Sequence, residues 1–331
     1  MKPEAMSMSA IVQNRYGTEP ERVLRLADVD RPIISDDEVL VHVSAASVDM
    51  GTVHCMTGMP YAMRLMGFGL RSPKASNPGR AFAGEVESMG KNVDGFALGD
   101  AVYGTCDGSF AEYVVVDPKK LAATPGNLSF NEAAAAPISG VTALQAIRKA
   151  EVQRGQTVLV VGASGGVGTF AVQIAKALGA DVTGVSSAPK ADLVRSLGAT
   201  QVIDYTREDF TDGRRQYDMI LDVAGNRPLS HLRRALTPHG RLVAVGVESG
   251  GRWIGGLDRS LRAALLSPFV GQHLGMLAST ENSSDLTELR QLIEGGHVTP
   301  VVDRTFRLAQ VAESIAYVRG GHARGKVVIA V

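Results

Sequence analysis

Residues 157–168 narrow the possible folds more than any other part of the chain. An apolar run, Thr157-Val158-Leu159-Val160-Val161, meets the turn Gly162-Ala163-Ser164-Gly165-Gly166-Val167-Gly168 and then a helical pattern that ends at Gly179. Read from Ala163, the turn matches the dinucleotide-binding fingerprint with alanine in place of its first glycine. In that reading Gly165 lets the backbone approach a pyrophosphate and Gly168 lets the helix pack closely on the strand. The first helical N–H groups then face the phosphates, which makes Ala163, Ser164, Gly165, Gly166 and Val167 candidate cofactor contacts. A short glycine motif alone is weak, but this one follows a strand, opens a helix and is trailed by further strand–helix units. Apolar stretches at 182–185, 202–203, 219–221 and 241–245 alternate with helical patterns at 190–197 and 229–236. Such alternation predicts a parallel, doubly wound sheet covered on both faces.

The flanks have a different period. From residue 9 to about 123 the chain reads as short strands and turns, including 39–43, 82–87, 100–104 and 110–116, which favours a barrel-like β domain. An interruption at 59–78 carries Met63, Leu65, Met66, Phe68 and Leu70 with Arg64 and Arg71, the pattern of a short covering helix. After the parallel-sheet region come a possible strand at 274–277 and a helix at 286–293. The apolar stretch 326–331 needs a partner sheet and is expected to return to the first domain. The expected division is a catalytic domain of residues 1–125 and 297–331 around a dinucleotide-binding domain of residues 126–296.

Composition excludes several function classes. Thirty-four Lys plus Arg balance 34 Asp plus Glu, so no cationic excess exists for a nucleic-acid partner. The best apolar candidate for a membrane span, 133–147, is interrupted by Pro137, Ser139, Gly140, Thr142 and Gln145. It falls short of roughly 18 apolar residues in a row, so no membrane partner is expected. Two cysteines, Cys55 and Cys106, supply neither a disulfide framework nor a four-cysteine zinc lobe. A cytoplasmic location is the expectation.

An NAD site normally carries Asp or Glu about 20 residues beyond the glycine turn, at the end of the second strand. Here that strand ends Ser186-Ser187-Ala188-Pro189-Lys190, with two hydroxyls and a cation but no carboxylate. Those groups suit a 2′-phosphate, so NADP(H) is the expected cofactor. A second reading of the turn exists. Gly162-x-Ser164-x-Gly166 also fits the nucleophile elbow of hydrolases, with Asp222 and His239 following in the order of a triad. Gly165 and Gly168, however, have a function only in the phosphate reading.

At this point the chain resembles the medium-chain dehydrogenase/reductase superfamily, specifically its zinc-independent quinone oxidoreductase branch. The turn carries the resemblance together with Gly99-Asp100-Ala101-Val102, Gly108-Ser109-Phe110-Ala111-Glu112-Tyr113, Val202-Ile203-Asp204-Tyr205, Gly240-Arg241-Leu242-Val243 and Gly325-Lys326-Val327-Val328. It implies a GroES-like catalytic domain built from both chain ends around a Rossmann domain, and reduction of quinones or α,β-unsaturated carbonyls by NADPH in a homodimer. By the same resemblance Lys190 and Tyr205 would contact the 2′-phosphate, and Lys326 the cofactor. Thr142 would lie near the nicotinamide, and Gly246 with Val247 would form a main-chain platform beside it. The substrate would lie in the cleft between the domains. The zinc-dependent branch has a Cys after its second strand and a Gly-His-Glu motif. The matching stretches here are Ala46-Ser47-Val48-Asp49 and Gly79-Arg80-Ala81, so no metal ligand set is expected.

His54 follows Asp49 where several relatives have a Tyr, and it is the candidate proton donor. Asp49 and Tyr61 are candidate pocket residues. Tyr61 and Arg64 are also candidates for gating, and the methionines at 50, 56, 59, 63 and 66 for an adaptable apolar wall or plain core filling. The rival functions are a zinc-free alcohol or ketone oxidoreductase and a non-catalytic NADPH-binding protein.

Overall fold

The computed structural model describes residues 6–246 and 251–331. The chain forms two compact units. The first comprises residues up to Ser139, Glu281–Gly295 and Pro300–Val331, and the second comprises Gly140–Thr280 and Gly296–Thr299. Residues 126–139 and 281–295, read from the sequence as part of the dinucleotide-binding domain, pack within the first unit. The helix Ser283–Glu294 is tied there by Tyr103, whose hydroxyl donates to the Leu286 carbonyl at 2.6 Å, and by Glu294, which accepts from the Gly126 N–H at 3.0 Å.

The first unit holds strands β1 (Ser7–Gln13), β2 (Leu24–Asp30), β3 (Val39–Val48), β4 (Ala81–Met89), β5 (Ala101–Thr105), β6 (Tyr113–Val116) and β7 (Leu121–Ala123). In the second unit are β8 (Thr157–Val161), β9 (Asp181–Ser186), β10 (Gln201–Asp204), β11 (Tyr217–Asp222), β12 (Leu236–Ala244) and β13 (His273–Met276). The chain then returns to the first unit with β14 (Val302–Arg307) and β15 (Lys326–Ala330). β15 runs antiparallel to β3, with Val327 opposite Val48, and parallel to β14. The apolar closing strand thus finds the partner sheet its sequence requires. Around β3 the inward-facing Val39, Val41 and Val43 pack with Phe82, Val102 and Leu121 to make one core of the β domain.

In the second unit the sheet order is β10-β9-β8-β11-β12-β13 and every pairing is parallel. Val158 to Val161 are buried, as expected for a central strand covered on both faces. The order reverses between β8 and β11, and in such sheets ligands bind beyond the carboxyl ends of the strands at that reversal. The fold is therefore α/β, a GroES-like β domain with a doubly wound Rossmann-type domain.

The 59–78 segment departs from its expectation. Only one turn, Arg64–Phe68, is helix-like, and Met66 and Gly67 leave helical angles within it. Leu65, Met66 and Leu70 are 78%, 72% and 65% exposed, so the segment does not bury its apolar side chains as a covering helix would. Pro60, Pro73 and Pro78 with the glycines at 67 and 69, both at φ +104°, account for the lack of regular structure.

Candidate active site

The glycine turn has two kinds of glycine. A Cβ on Gly168 would sit 2.1 Å from the Gly162 carbonyl oxygen, so that position serves helix-on-strand packing. A Cβ on Gly165 would meet nothing nearer than the Gly162 oxygen at 3.5 Å, an ordinary contact. Nothing inside the protein demands glycine at 165, as expected where the demand comes from a ligand approaching the backbone. The helix Gly166–Ala177 has Gly165 as its N-cap, and no side chain caps it. Its first N–H groups are left for an anion. Ala163 is fully buried and Ser164 nearly so, which leaves main-chain groups to form the turn's surface.

The register of β9 with β10 sets Ser186 beside Asp204. The Tyr205 N–H donates to the Ser186 carbonyl at 3.3 Å, and the Lys190 N–H to that of Ser187 at 3.0 Å. Ser186, Ser187, Lys190 and Tyr205 therefore gather at the carboxyl end of neighbouring strands, with the Tyr205 side chain 48% exposed. One carboxylate, Asp204, also shares this corner. Its Oδ1 accepts from the Thr206 N–H at 3.0 Å and from the Thr206 hydroxyl at 2.8 Å. These hydrogen bonds hold the carboxyl below the usual range. Oδ1 is thus engaged within its own loop, while Oδ2 has no hydrogen-bond partner among the described residues and stands 3.8 Å from Arg207 Nε.

Thr142 and Gly246 also lie in this unit. The Thr142 hydroxyl donates to Ser279 Oγ at 3.4 Å. The Gly246 N–H donates to the Asp222 carbonyl at 3.2 Å, and its own carbonyl accepts from Arg259 at 3.3 Å. Arg259 pairs with the buried Asp222 carboxylate at 2.6 Å and donates to the Arg227 carbonyl at 2.9 Å. One guanidinium thereby joins the loops after β11 and β12. Burial pushes the Asp222 carboxyl above its ordinary range, and Arg259 pulls it back. Val247 lies outside the described residues. The hydrolase triad is not assembled. Asp222 at the carboxyl end of β11 pairs with Ala244, whereas the exposed His239 precedes Arg241 near the other end of β12.

In the first unit Asp49 caps the helix Met50–Thr57, accepting from the Thr52 N–H at 3.0 Å. Its Oδ2 is buried without a hydrogen-bond partner and stands 3.7 Å from the Lys326 ammonium. Lys326 is 2% exposed and donates to the Val48 carbonyl at 3.1 Å. Burial pushes its ammonium pKa down, and Asp49 acts against that. His54 has Nδ1 2.8 Å from the Met59 carbonyl oxygen. A carbonyl can only accept, so Nδ1 carries the proton and Nε2 can donate only from the doubly protonated ring. Tyr61 lies under the Arg64 guanidinium, 4.6 Å from its ring centre. Arg64 also stacks on Tyr16 and donates to the carbonyls of Thr57 and Gly58, which anchors both gating candidates.

A further group was not singled out in the sequence. Arg80, immediately before β4, forms an ion pair with Glu281, whose carboxylate also accepts from the Thr105 hydroxyl at 3.0 Å and lies 3.5 Å from the Lys120 ammonium. Arg80 lines a pocket of about 540 Å³ with Cys55, Met66, Phe68, Lys74, Asn77 and Asp107. Burial pushes the Cys55 thiol up to about 11, with Arg80 acting against it, so this wall is a neutral thiol rather than a nucleophile. The only signal in the sequence was a cation where a metal ligand would stand. Glu281 lies 201 residues away, beyond any local pattern. Among the described residues no cluster of three or more His, Cys, Asp or Glu side chains could hold a metal ion, and no helix is long and apolar enough to cross a membrane.

Two family models match this chain, the alcohol dehydrogenase GroES-like domain over residues 35–126 and the zinc-binding dehydrogenase over residues 197–329. A 2-methylene-furan-3-one reductase of Solanum lycopersicum is 34% identical across 93% of this chain and 75% of its own length. The solved quinone oxidoreductase of Coxiella burnetii superposes with a TM-score of 0.86 at 28% identity, covering 98% of this chain and 100% of that one. The chain belongs to the medium-chain dehydrogenase/reductase superfamily, in its quinone oxidoreductase-like branch. This superfamily member is also 32% identical to a chloroplastic NADPH-dependent alkenal/one oxidoreductase of Arabidopsis thaliana, over 97% of the chain and 79% of the relative. The zinc-binding dehydrogenase match begins well after Asp49 and Arg80, and so does not include the stretches where the zinc-dependent branch has its Cys and Gly-His-Glu.

Proposed function

We propose that the protein is an NADPH-dependent, zinc-independent reductase of quinones or α,β-unsaturated carbonyls. The observation that carries this reading is the corner formed by Ser186, Ser187, Lys190 and Tyr205, with Asp204 Oδ1 engaged by Thr206. The uncapped start of the helix Gly166–Ala177 would hold the pyrophosphate through main-chain donors, and Thr142, Gly246 and Val247 would flank the nicotinamide, with Lys326 a further cofactor contact. The cofactor, when bound, supplies the hydride. Reduction of an enone or quinone leaves negative charge on oxygen, which must be stabilised or protonated. His54 serves as the proton donor through Nε2 while Met59 fixes the ring from Nδ1, and Asp49 and Tyr61 border the substrate. The zinc-independent reading is supported by the residues themselves. Arg80 is a fixed cation in the stretch matching Gly-His-Glu, and Asp49 stands in the stretch matching the Cys.

The names of the relatives support small quinone or enone substrates and a nicotinamide cofactor. A homodimer belongs to the same proposal. Among the described residues β13 pairs only with β12, and the exposed Leu261, Leu265 and Phe269 lie on the segment leading into it. A cytoplasmic site of action completes the reading.

The test is to follow NADPH absorbance against a panel of quinones, enones, aldehydes and alcohols, with and without a zinc chelator. Oxidation by quinones or enones that survives chelation is expected, and turnover of alcohols alone would overturn the reading. Lys190→Ala should weaken NADPH by roughly 10- to 100-fold while changing NADH little, the size of a lost charge-assisted contact. Equal losses for both cofactors would remove Lys190 from the 2′-phosphate site.

A further inference from the structure

The pocket beside Arg80 is a built site within the first unit. Its floor joins two loops. The Gly108 and Ser109 N–H groups donate to the Gly79 carbonyl at 2.8 and 3.1 Å, and the Asn77 side chain accepts from the Gly79 N–H at 3.0 Å while donating to the Phe110 carbonyl at 2.9 Å. Its outer wall is the 59–78 segment, held where the Tyr16 hydroxyl donates to the Phe68 carbonyl at 2.7 Å. Met66, Phe68, Pro73 and Pro78 give that wall an apolar surface. The pocket's volume of about 540 Å³, open to solvent on one side, falls in the range of small-molecule pockets.

The charge in this pocket has a definite sign. Of the charged residues that line it, Arg80 and Lys74 are cations and Asp107 is an acid, so the lining is net positive by one charge. Behind it, outside the lining, Glu281 is held by Arg80 on one oxygen and faces Lys120 on the other. Lys74 and Asp107 are both exposed to solvent, which leaves Arg80 as the partly buried charge of the lining. Arg80 uses only Nη2 on Glu281. The rest of its side chain has no hydrogen-bond partner among the described residues, and planar guanidinium forks pair best with a planar carboxylate.

We propose that this pocket selects quinone or enone substrates bearing a carboxylate remote from the reacting carbonyl, with Arg80 as the specificity-determining residue. The proposal rests on the reductase reading above. The carboxylate pairs with the free edge of the guanidinium, and the apolar body of the substrate lies on Met66 and Phe68. This is ground-state binding and acts through KM rather than kcat.

The experiment compares an enone carrying a carboxylate at the end of a short methylene chain with its methyl ester, whose reacting group is the same. The wild-type protein should favour the acid in kcat/KM by roughly 10- to 100-fold, mostly through KM. Arg80→Met should bring that ratio near unity, and Arg80→Lys, which keeps charge without the fork, should fall between. A calorimetric titration of the wild-type protein with the saturated acid and the saturated ester, without cofactor, gives a second readout that needs neither turnover nor a variant. Binding of the acid and not the ester is expected. Equal kcat/KM for acid and ester in the wild-type protein, or equal binding of the saturated pair, overturns the proposal. If no quinone or enone is reduced at all, the reductase reading fails, and the calorimetric pair still decides whether the pocket takes a carboxylate.

Discussion

The dinucleotide end of the second unit and the polar groups of the first unit are made of different materials. At the carboxyl ends of β8, β9 and β10 most of the proposed work falls to main-chain N–H groups, one glycine where an added methyl would meet no close neighbour and a loop of short polar residues. Around Asp49 and Arg80 it falls to long charged side chains that reach one another from β3, β4, β15 and the start of the helix Ser283–Glu294. Main-chain sites tolerate change in side chains and fail when the backbone is crowded. Side-chain sites do the reverse, because each buried charge depends on its partner.

The largest effect that would sharpen this contrast is at Lys326. Replacing it by Met leaves Asp49 buried beside an uncharged neighbour, and stability should drop by about 3–5 kcal/mol, measured by urea unfolding. The Lys326→Met, Asp49→Asn pair should recover most of it. An additive double variant would mean that the two charges, 3.7 Å apart, do not depend on each other.

On the main-chain side the paired substitutions are Gly168→Ala and Gly165→Ala. The first drives a methyl into the Gly162 carbonyl and should cost about 3 kcal/mol of stability, at the upper end of overpacking penalties. The second should leave the melting temperature near that of the parent and weaken NADPH by more than about tenfold, since only a ligand competes for that space. If both variants melt early, the distinction between the two glycines is wrong.

His54→Ala comes next. Loss of the proton donor should lower kcat toward enones roughly 100-fold with little change in NADPH affinity. Full kcat in the variant reduces His54 to a pocket wall.

The smallest effect concerns Asp204. Its folded-state pKa is lowered, so its contribution to stability is present above the unfolded carboxylate pKa and is lost as pH falls through the folded value. Thr206→Val removes the hydroxyl donor, and the Asp204 carboxyl should then titrate closer to its usual range by NMR. The stability difference between parent and variant should shrink in acid. A variant with an unmoved Asp204 titration would leave the carboxylate free to face the cofactor and weaken the NADPH reading.

The same division decided what could be read in advance. The alternation of strands and helices from 157 to 245 is a local pattern, and the parallel sheet follows it strand by strand. The return of residues 326–331 to β3 was also legible, because five consecutive apolar residues have to be covered. The 59–78 segment departs from its expected helix because its methionines and leucines have helical spacing while its prolines and glycines forbid the helix. The Arg80–Glu281 pair was invisible for a topological reason. Glu281, two residues before the helix Ser283–Glu294, comes beside the start of β4 only once that helix packs in the first unit, which no local period encodes.

The seam between β3 and β15 also bears on how the chain is made. Val48 and Lys326 are separated by 278 residues, so at about 5–20 residues per second a ribosome needs roughly 15 to 55 seconds to join them. Nearly all of the second unit emerges within that interval as one continuous segment and can close before the first is complete. Through that time the Ala45–Val48 part of β3, beyond the stretch that β6 covers, carries an open edge, the template for pairing with a neighbouring nascent chain. Chaperone occupancy on translating ribosomes should therefore persist until β15 is released, long after the β3 sequence itself has left the exit tunnel.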